Sequence, residues 1–293
     1  MAVQVRFITD PACSWSWAVE PVVRKLMVEF GERLAWTWVM GGLARRYDQG
    51  YADADAGIGG QAGPFPGLIV HWLDVADEGR MPLDPRLWSE GPIGSTYPAC
   101  MAVKAAAEQG PGAAYAYLRA VREGLMCFRR KLDTTEALVD EARRARLDVE
   151  RFRRDLGSHA IVEAFGADLD EARTVPEEAR AEGQVREIGQ GRERVSFPTA
   201  IFVAEDGTRH GVFGHKPYED YRAAAQAAGA RPNGGEPPGV LDALRRFGRM
   251  AGREVEAVCD LPEPRVAAEL WRLASEWKAR PVRVLTGHLW EPA

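Results

Sequence analysis

Up to residue 230, strand-type alternation is confined to two stretches near the ends, and helical spacing fills the chain between them. This separation constrains the fold more than any other feature. In the first stretch, "VQVRFIT" alternates, "PVVRKLMVEFGERL" sets apolar residues three and four apart and stops near Gly31, and "LAWTWVM" alternates again. Two strands joined by a helix pair in parallel through a right-handed crossover. In the second, "FPTAIFVAEDGTRHGVFG" sets two apolar runs around the hairpin signal "EDGT", and "KPYEDYRAAAQAAGA" closes it as a helix. A single sheet must therefore be assembled across a long helical block, and the fold class is α/β.

Residues 41–63, rich in Gly, Ala and Asp, read as a loop or lid. The block that follows consists of amphipathic segments parted by Gly and Pro. One of them, "LDTTEALV", opens with capping residues, Asp133 or Thr134, and has Glu136 in its first turn. "RPNGGEPPG", Arg231 to Gly239, is a turn-rich linker. Beyond it the pattern gives about three helices and a terminal hairpin, to which a winged-helix arrangement is one fit. Residues 240–293 hold nine Arg/Lys against eight Asp/Glu with no basic stripe, so packing or dimerisation fits this extension better than DNA binding. The organisation expected is thus 1–80 (the first βαβ unit and lid), 81–192 (helical insertion), 193–230 (the ββα unit) and 240–293 (extension).

At 293 residues and 46% apolar composition, the chain can fill a sizeable core. A net charge of −5 gives no electrostatic case for nucleic acid or an anionic membrane surface. No window approaches the roughly 18 apolar residues of a membrane span, and the first residues run directly into a strand pattern, which points to the cytoplasm. The cysteines (Cys13, Cys100, Cys127, Cys259) and the histidines are scattered without metal-ligand spacing. Structural disulfides and a metal centre are therefore not expected.

"DPACSWSWAVEP" concentrates the chemistry. Cys13 follows a strand and a proline turn and stands at a helix entrance, where unpaired amides and the macrodipole stabilise a thiolate. Ser16, three residues on, is placed to offer its hydroxyl to the same sulfur, or to serve only as a helix-cap serine. His71 and Trp72, on an apolar helix after the Gly-rich loop, are candidates to line a pocket, and so is Tyr97 at the start of a helix in the insertion. The charged run "QVREIGQGRERV" reads either as an anion-attracting segment or as a solvated face.

The element order, together with "TDPACSWSWAVEPVVRKL", "WVMGGL" and "FPT", resembles the thioredoxin fold with a DsbA-type helical insertion. Within that superfamily it looks like the FrnE-like and adaptor branch, over residues 3–230. The resemblance implies an active thiol at Cys13 and a cis-proline at Pro198. It also implies that the Phe197 backbone turns toward Cys13 and that Trp15 helps shape the docking surface. Where the family usually has a second cysteine this chain has Ser16, so Cys13 can form mixed disulfides and other adducts but not a C-x-x-C disulfide. Cys127 is the candidate resolving thiol, against a plain buried-core reading.

Three functions remain open from the sequence. The first is a monothiol oxidoreductase that forms mixed disulfides with a small or protein thiol. The second is a thiol-dependent cis/trans isomerase or glutathione-transferase-like enzyme. The third is a non-catalytic adaptor with a protein partner, or a second copy of the chain, on residues 240–293. No tightly bound cofactor is expected; a low-molecular-weight thiol such as glutathione or mycothiol is the candidate co-substrate.

Overall fold

The computed structural model describes residues 2–47 and 64–293. The part of the expected lid from residue 48 to 63 lies outside the described residues. β1 (Val3–Thr9) leads through α1 (Ser14–Ala18) and α2 (Glu20–Glu29) to β2 (Leu34–Met40), which pairs with β1 in parallel. The insertion runs through α3 (Pro64–Gly79), α4 (Leu87–Glu90), α5 (Tyr97–Ala107), α6 (Pro111–Phe128), α7 (Thr135–Arg144), α8 (Val149–Leu156), α9 (His159–Arg173) and α10 (Glu177–Ala181). A short hairpin, β3 (Val185–Glu187) with β4 (Glu193–Val195), precedes β5 (Thr199–Val203), β6 (Arg209–Phe213) and α11 (Tyr218–Ala227). The main sheet has the order β2-β1-β5-β6, with β5 antiparallel to both its neighbours. This is the thioredoxin fold with a helical insertion, as the sequence pattern requires.

Local chemistry accounts for the element ends. Thr134 accepts from the Ala137 amide at 3.3 Å and so caps α7. The β5–β6 turn carries Gly207 at φ +87°, and the Asp206 carboxylate accepts from the Thr208 amide at 2.8 Å. The β3–β4 hairpin corrects the expectation that strands return only at residue 197. Its strands are three residues long and pair like with like, Arg186 opposite Arg194 and Glu187 opposite Glu193, so alternation offered no signal.

The linker is not a free tether. Asn233 donates its amide to the Glu29 carbonyl at 2.7 Å, at the end of α2. Past it lie α12 (Val240–Phe247), β7 (Met250–Ala251), α13 (Gly252–Cys259), α14 (Glu263–Ser275), β8 (Ala279–Val284) and β9 (Gly287–Pro292). The order helix, strand, helix, helix, strand, strand, with a sheet ordered β7-β9-β8, is that of a winged helix. A second apolar core holds its helices together around Val255, Leu270 and Trp290, while Ala251, Val284 and Leu289 belong to the main core. The β8–β9 turn is stitched to the loop after α3, the Leu83 amide donating to the Thr286 hydroxyl at 2.8 Å.

Charge seals this junction. Glu254 on α13, fully buried, accepts from Arg119 of α6 at 2.7 and 3.0 Å and pairs with Arg24 of α2 at 3.1 Å. Arg119 also reaches Glu123 at 2.8 Å, and Arg122 pairs with Glu20 and the Thr9 hydroxyl. Arg24 further donates to the Arg249 carbonyl at 3.1 Å, and Arg249 spans Glu123 and Glu291 at 2.8 and 2.7 Å. Burial alone would raise the Glu20 carboxyl, but Arg122, Arg119 and Arg24 outweigh it and hold the group below the ordinary carboxylate range. Its contribution is therefore present above the usual carboxylate pKa, about 4.3, and is lost as pH falls through its lower folded value.

Removing one partner of such a cluster strands the others in the core. Glu254→Gln is expected to cost about 3–5 kcal/mol in urea unfolding. The same titration should show one transition, because the winged-helix module and the main sheet share a core.

Candidate functional site

β1 delivers the chain to a turn built on one carboxylate. Asp10, with no exposed surface, accepts from the amides of Ala12 at 2.8 Å and Leu43 at 2.6 Å and from the Thr96 hydroxyl at 2.7 Å. The Cys100 thiol donates to it as well, at 3.2 Å. These bonds tie the ends of β1 and β2 to the start of α5. They favour the charged carboxylate, but burial is the larger effect and leaves the Asp10 pKa above its ordinary value. The Cys13 amide returns to the Asp10 carbonyl at 3.2 Å, which closes the turn and places Cys13 as the N-cap of α1.

The Cys13 sulfur accepts from the Ser16 backbone amide at 3.4 Å and faces the Phe197 carbonyl at 3.8 Å. The Ser16 hydroxyl, fully buried, has no hydrogen-bond partner among the described residues. The sequence expectation for the hydroxyl is thus revised: at this position the main chain, not the side chain, meets the sulfur. The Phe197–Pro198 bond is cis. The Phe197 ring packs over Gly41, where a Cβ would stand 2.1 Å from the ring, so only glycine fits after β2. The Arg194 guanidinium covers the ring at 4.0 Å.

Cys13, only 5% exposed, adjoins a narrow cleft with about 10 Å³ of free space between α1 and α3, lined by Trp15, Leu68, His71, Trp72 and Trp88. His71 Nε2 lies 3.1 Å from the Ser14 hydroxyl, and Trp72 is buried edge-on against Trp88 at 5.3 Å. Trp15 sits between His71 and His215, with ring centroids 6.1 and 5.1 Å away. Burial lowers the His215 pKa despite the nearby Glu78 carboxylate, 3.6 Å away. Tyr97 is not among the residues lining this cleft; its ring packs edge-on against Phe165 at 5.0 Å.

Cys127 lies on α6 and donates to the Pro82 carbonyl at 3.3 Å. The Trp17 indole donates to the same carbonyl at 3.1 Å. Burial pushes the Cys127 thiol well above the ordinary range, which suits a core residue and not an attacking thiolate. No disulfide joins any of the four cysteines. Sequence reasoning passed over Asp10, although it stands in the quoted motif, because its role depends on Leu43 and Thr96. It also passed over His215, which reaches Trp15 from a loop without periodicity. Among the described residues no cluster of His, Cys, Asp or Glu could hold a metal ion, and no helix is long and apolar enough to cross a membrane.

Comparison with known proteins places these features. A family model described as thioredoxin matches residues 7–176. The ClpXP adapter protein SpxH of Halalkalibacterium halodurans is 27% identical over 98% of this chain and 88% of its own length. The ClpXP adapter protein SpxH of Bacillus subtilis is 25% identical over 99% and 89%. Among solved structures, a putative protein disulfide isomerase from Nitrosomonas europaea superposes with a TM-score of 0.59 at 18% identity, covering 78% of this chain and 97% of its own. The cytosolic disulfide reductase DsbM of Pseudomonas aeruginosa gives 0.53 at 17%, covering 76% and 97%. These two likenesses are of fold.

Because the amide and not the hydroxyl of Ser16 contacts the sulfur, Ser16→Ala should leave the pH profile of Cys13 alkylation within about 0.3 pH units of the parent, a difference of about 0.4 kcal/mol. Intact-mass measurement of iodoacetamide incorporation across pH reads this directly.

Proposed function

Since this chain belongs to the thioredoxin family and carries the DsbA-type insertion, we propose that it is a protein-binding adaptor that brings a protein partner to a ClpXP-type protease, with Cys13 as a reversible thiol contact to that partner. The observation that carries this reading is coverage. The two adapter relatives named above extend over 98–99% of the chain, whereas the two disulfide-chemistry structures cover 76–78%. A module so firmly fused to the core is part of what the protein does.

The site supports the thiol half of the reading. A Cys13 thiolate attacks one sulfur of a partner disulfide, forms the Cys13–partner S–S bond and expels the other sulfur as a thiolate that takes up a proton. With Ser16 three residues on and Cys127 buried at Pro82, release falls to an external thiol, which attacks the mixed disulfide and returns Cys13 reduced. Trp15, His71 and the Phe197 carbonyl, which lie around the buried sulfur, are the groups that a partner cysteine would meet. Such a protein reports the redox state of its partner instead of oxidising it catalytically. A small thiol such as glutathione or mycothiol fits the reading as the releasing reagent.

Proteome-wide half-lives in the native host test this. Deleting the gene should lengthen the half-life of a small set of proteins at least about threefold, roughly 0.65 kcal/mol on a rate. The wild-type gene should restore them, and Cys13→Ala should restore them only under reducing growth. Unchanged half-lives, together with loss of disulfide-reducing activity in extracts, would leave an oxidoreductase as the function.

A further inference from the structure

A thiol that reacts as its thiolate must first lose a proton, and Cys13 is almost closed off from water. The proton therefore has to pass to a neighbouring group, and the ionisable groups around the turn differ in their fitness to take it.

Asp10 is a poor acceptor. It has no exposed surface, and its carboxylate already receives the Ala12 and Leu43 amides, the Thr96 hydroxyl and the Cys100 thiol. A proton taken up there would displace one of these bonds and have no route to solvent. Tyr47 lines the gap beside Cys13, but a phenol titrates near ~10 in water and offers no base at neutral pH. Arg194, over the Phe197 ring, stays protonated. His215 lies across the Trp15 ring and faces Glu78 at 3.6 Å. Arg45 and Arg46 after β2, and Asp74 and Asp77 on α3, are exposed.

His71 meets the requirements. It lines the same narrow gap as Cys13, and its Nε2 lies 3.1 Å from the hydroxyl of Ser14, the next residue in the chain. Its ring stands edge-on to Trp15, so two consecutive residues of α1 brace it. A hydroxyl donates to a neutral imidazole and accepts from a charged one, so the Ser14 contact survives a change of protonation. Unlike Asp10, His71 is only half-buried and exchanges protons with water. Imidazole, with an unperturbed pKa of about 6.5, both accepts and donates near neutral pH.

We propose that His71 is the proton acceptor for Cys13, with Ser14 as the positioning residue that holds its ring. The Cys13 S–H bond breaks, its electron pair stays on sulfur, and the proton passes to the neutral imidazole. The thiolate attacks the partner disulfide, and the expelled partner sulfur takes the proton back from the imidazolium. Until then the thiolate is stabilised by that positive charge as well as by the Ser16 amide. The proposal rests on the thiol half of the adaptor reading and names the residue that makes the thiol reactive.

The test titrates both members of the pair. Ultraviolet absorbance of the thiolate, taken as the difference between the parent and Cys13→Ala, follows Cys13. The other cysteines stay silent near neutral pH, because burial pushes the Cys100 and Cys127 thiols well above the ordinary range and Cys259 up to about 11. His71→Asn should raise the Cys13 midpoint by at least about one pH unit, a tenfold loss of thiolate at neutral pH, and Ser14→Ala should raise it by less. Coupling is reciprocal, so Cys13→Ala should lower the His71 midpoint, read from its ring protons by NMR, by at least about one unit. A smaller shift in either comparison overturns the proposal. Should His71→Asn fail to fold, as circular dichroism would show, the His71 midpoint in the parent against Cys13→Ala decides alone. Neither titration involves a partner protein. Unchanged half-lives on deleting the gene thus count against the adaptor reading only, and an uncoupled pair counts against this proposal only.

Discussion

The structure depends on one cluster of buried charges. Glu20, Arg24, Arg119, Arg122 and Glu254 come from α2, α6 and α13, so three segments far apart in the chain must meet for any of them to be satisfied. Taking such ions out of water is costly, and an apolar junction of the same volume would often be as stable. What the charges add here is a fixed geometry: α13 lies along α2 in one register, because Glu254 must reach Arg24 and Arg119 together. Arg122 carries the constraint on to Thr9, one residue before Asp10. The thiol turn and the winged-helix module are thereby held to one scaffold.

Around Cys13 the structure spends its polar groups on position. Among the described residues Asp10 has no cationic partner and is held by two amides, a hydroxyl and a thiol, which fix the turn that carries Cys13 into α1. The sulfur then meets the Ser16 amide and the Phe197 carbonyl, both main-chain groups. A thiol site made largely of backbone tolerates serine in place of a second cysteine without rearrangement. Ser16 stands where a C-x-x-C motif carries its second cysteine, so Cys13 cannot form that internal disulfide.

The winged-helix order of the last segment invites a nucleic-acid reading, and its charge argues otherwise. Arg265 and Arg272 on α14 are balanced by Glu263 and Glu269, and the side chain at the centre of its exposed face is Trp271. The module is packed instead against the thioredoxin fold, with Ala251, Val284 and Leu289 in the main core and Glu254 in the buried cluster.

The order of elements and the place of Cys13 at the entrance of α1 were legible in the residues. Period-two and period-three-to-four spacing reports which face of each segment is buried, and Cys13, Gly41 and Pro198 occupy positions that local backbone geometry dictates. The β3–β4 hairpin was not legible, because its strands are short and charged and obtain their pairing from each other instead of from a buried face. Nor could the sequence choose between the hydroxyl and the amide of Ser16, a choice made by the rotation of one side chain inside the core. The partners of Asp10, the approach of His215 to Trp15 and the meeting of Glu254 with Arg24 and Arg119 all join residues distant in sequence. Local pattern determined what each segment is; only tertiary packing, through burial and charge pairing between distant segments, decided what they build together.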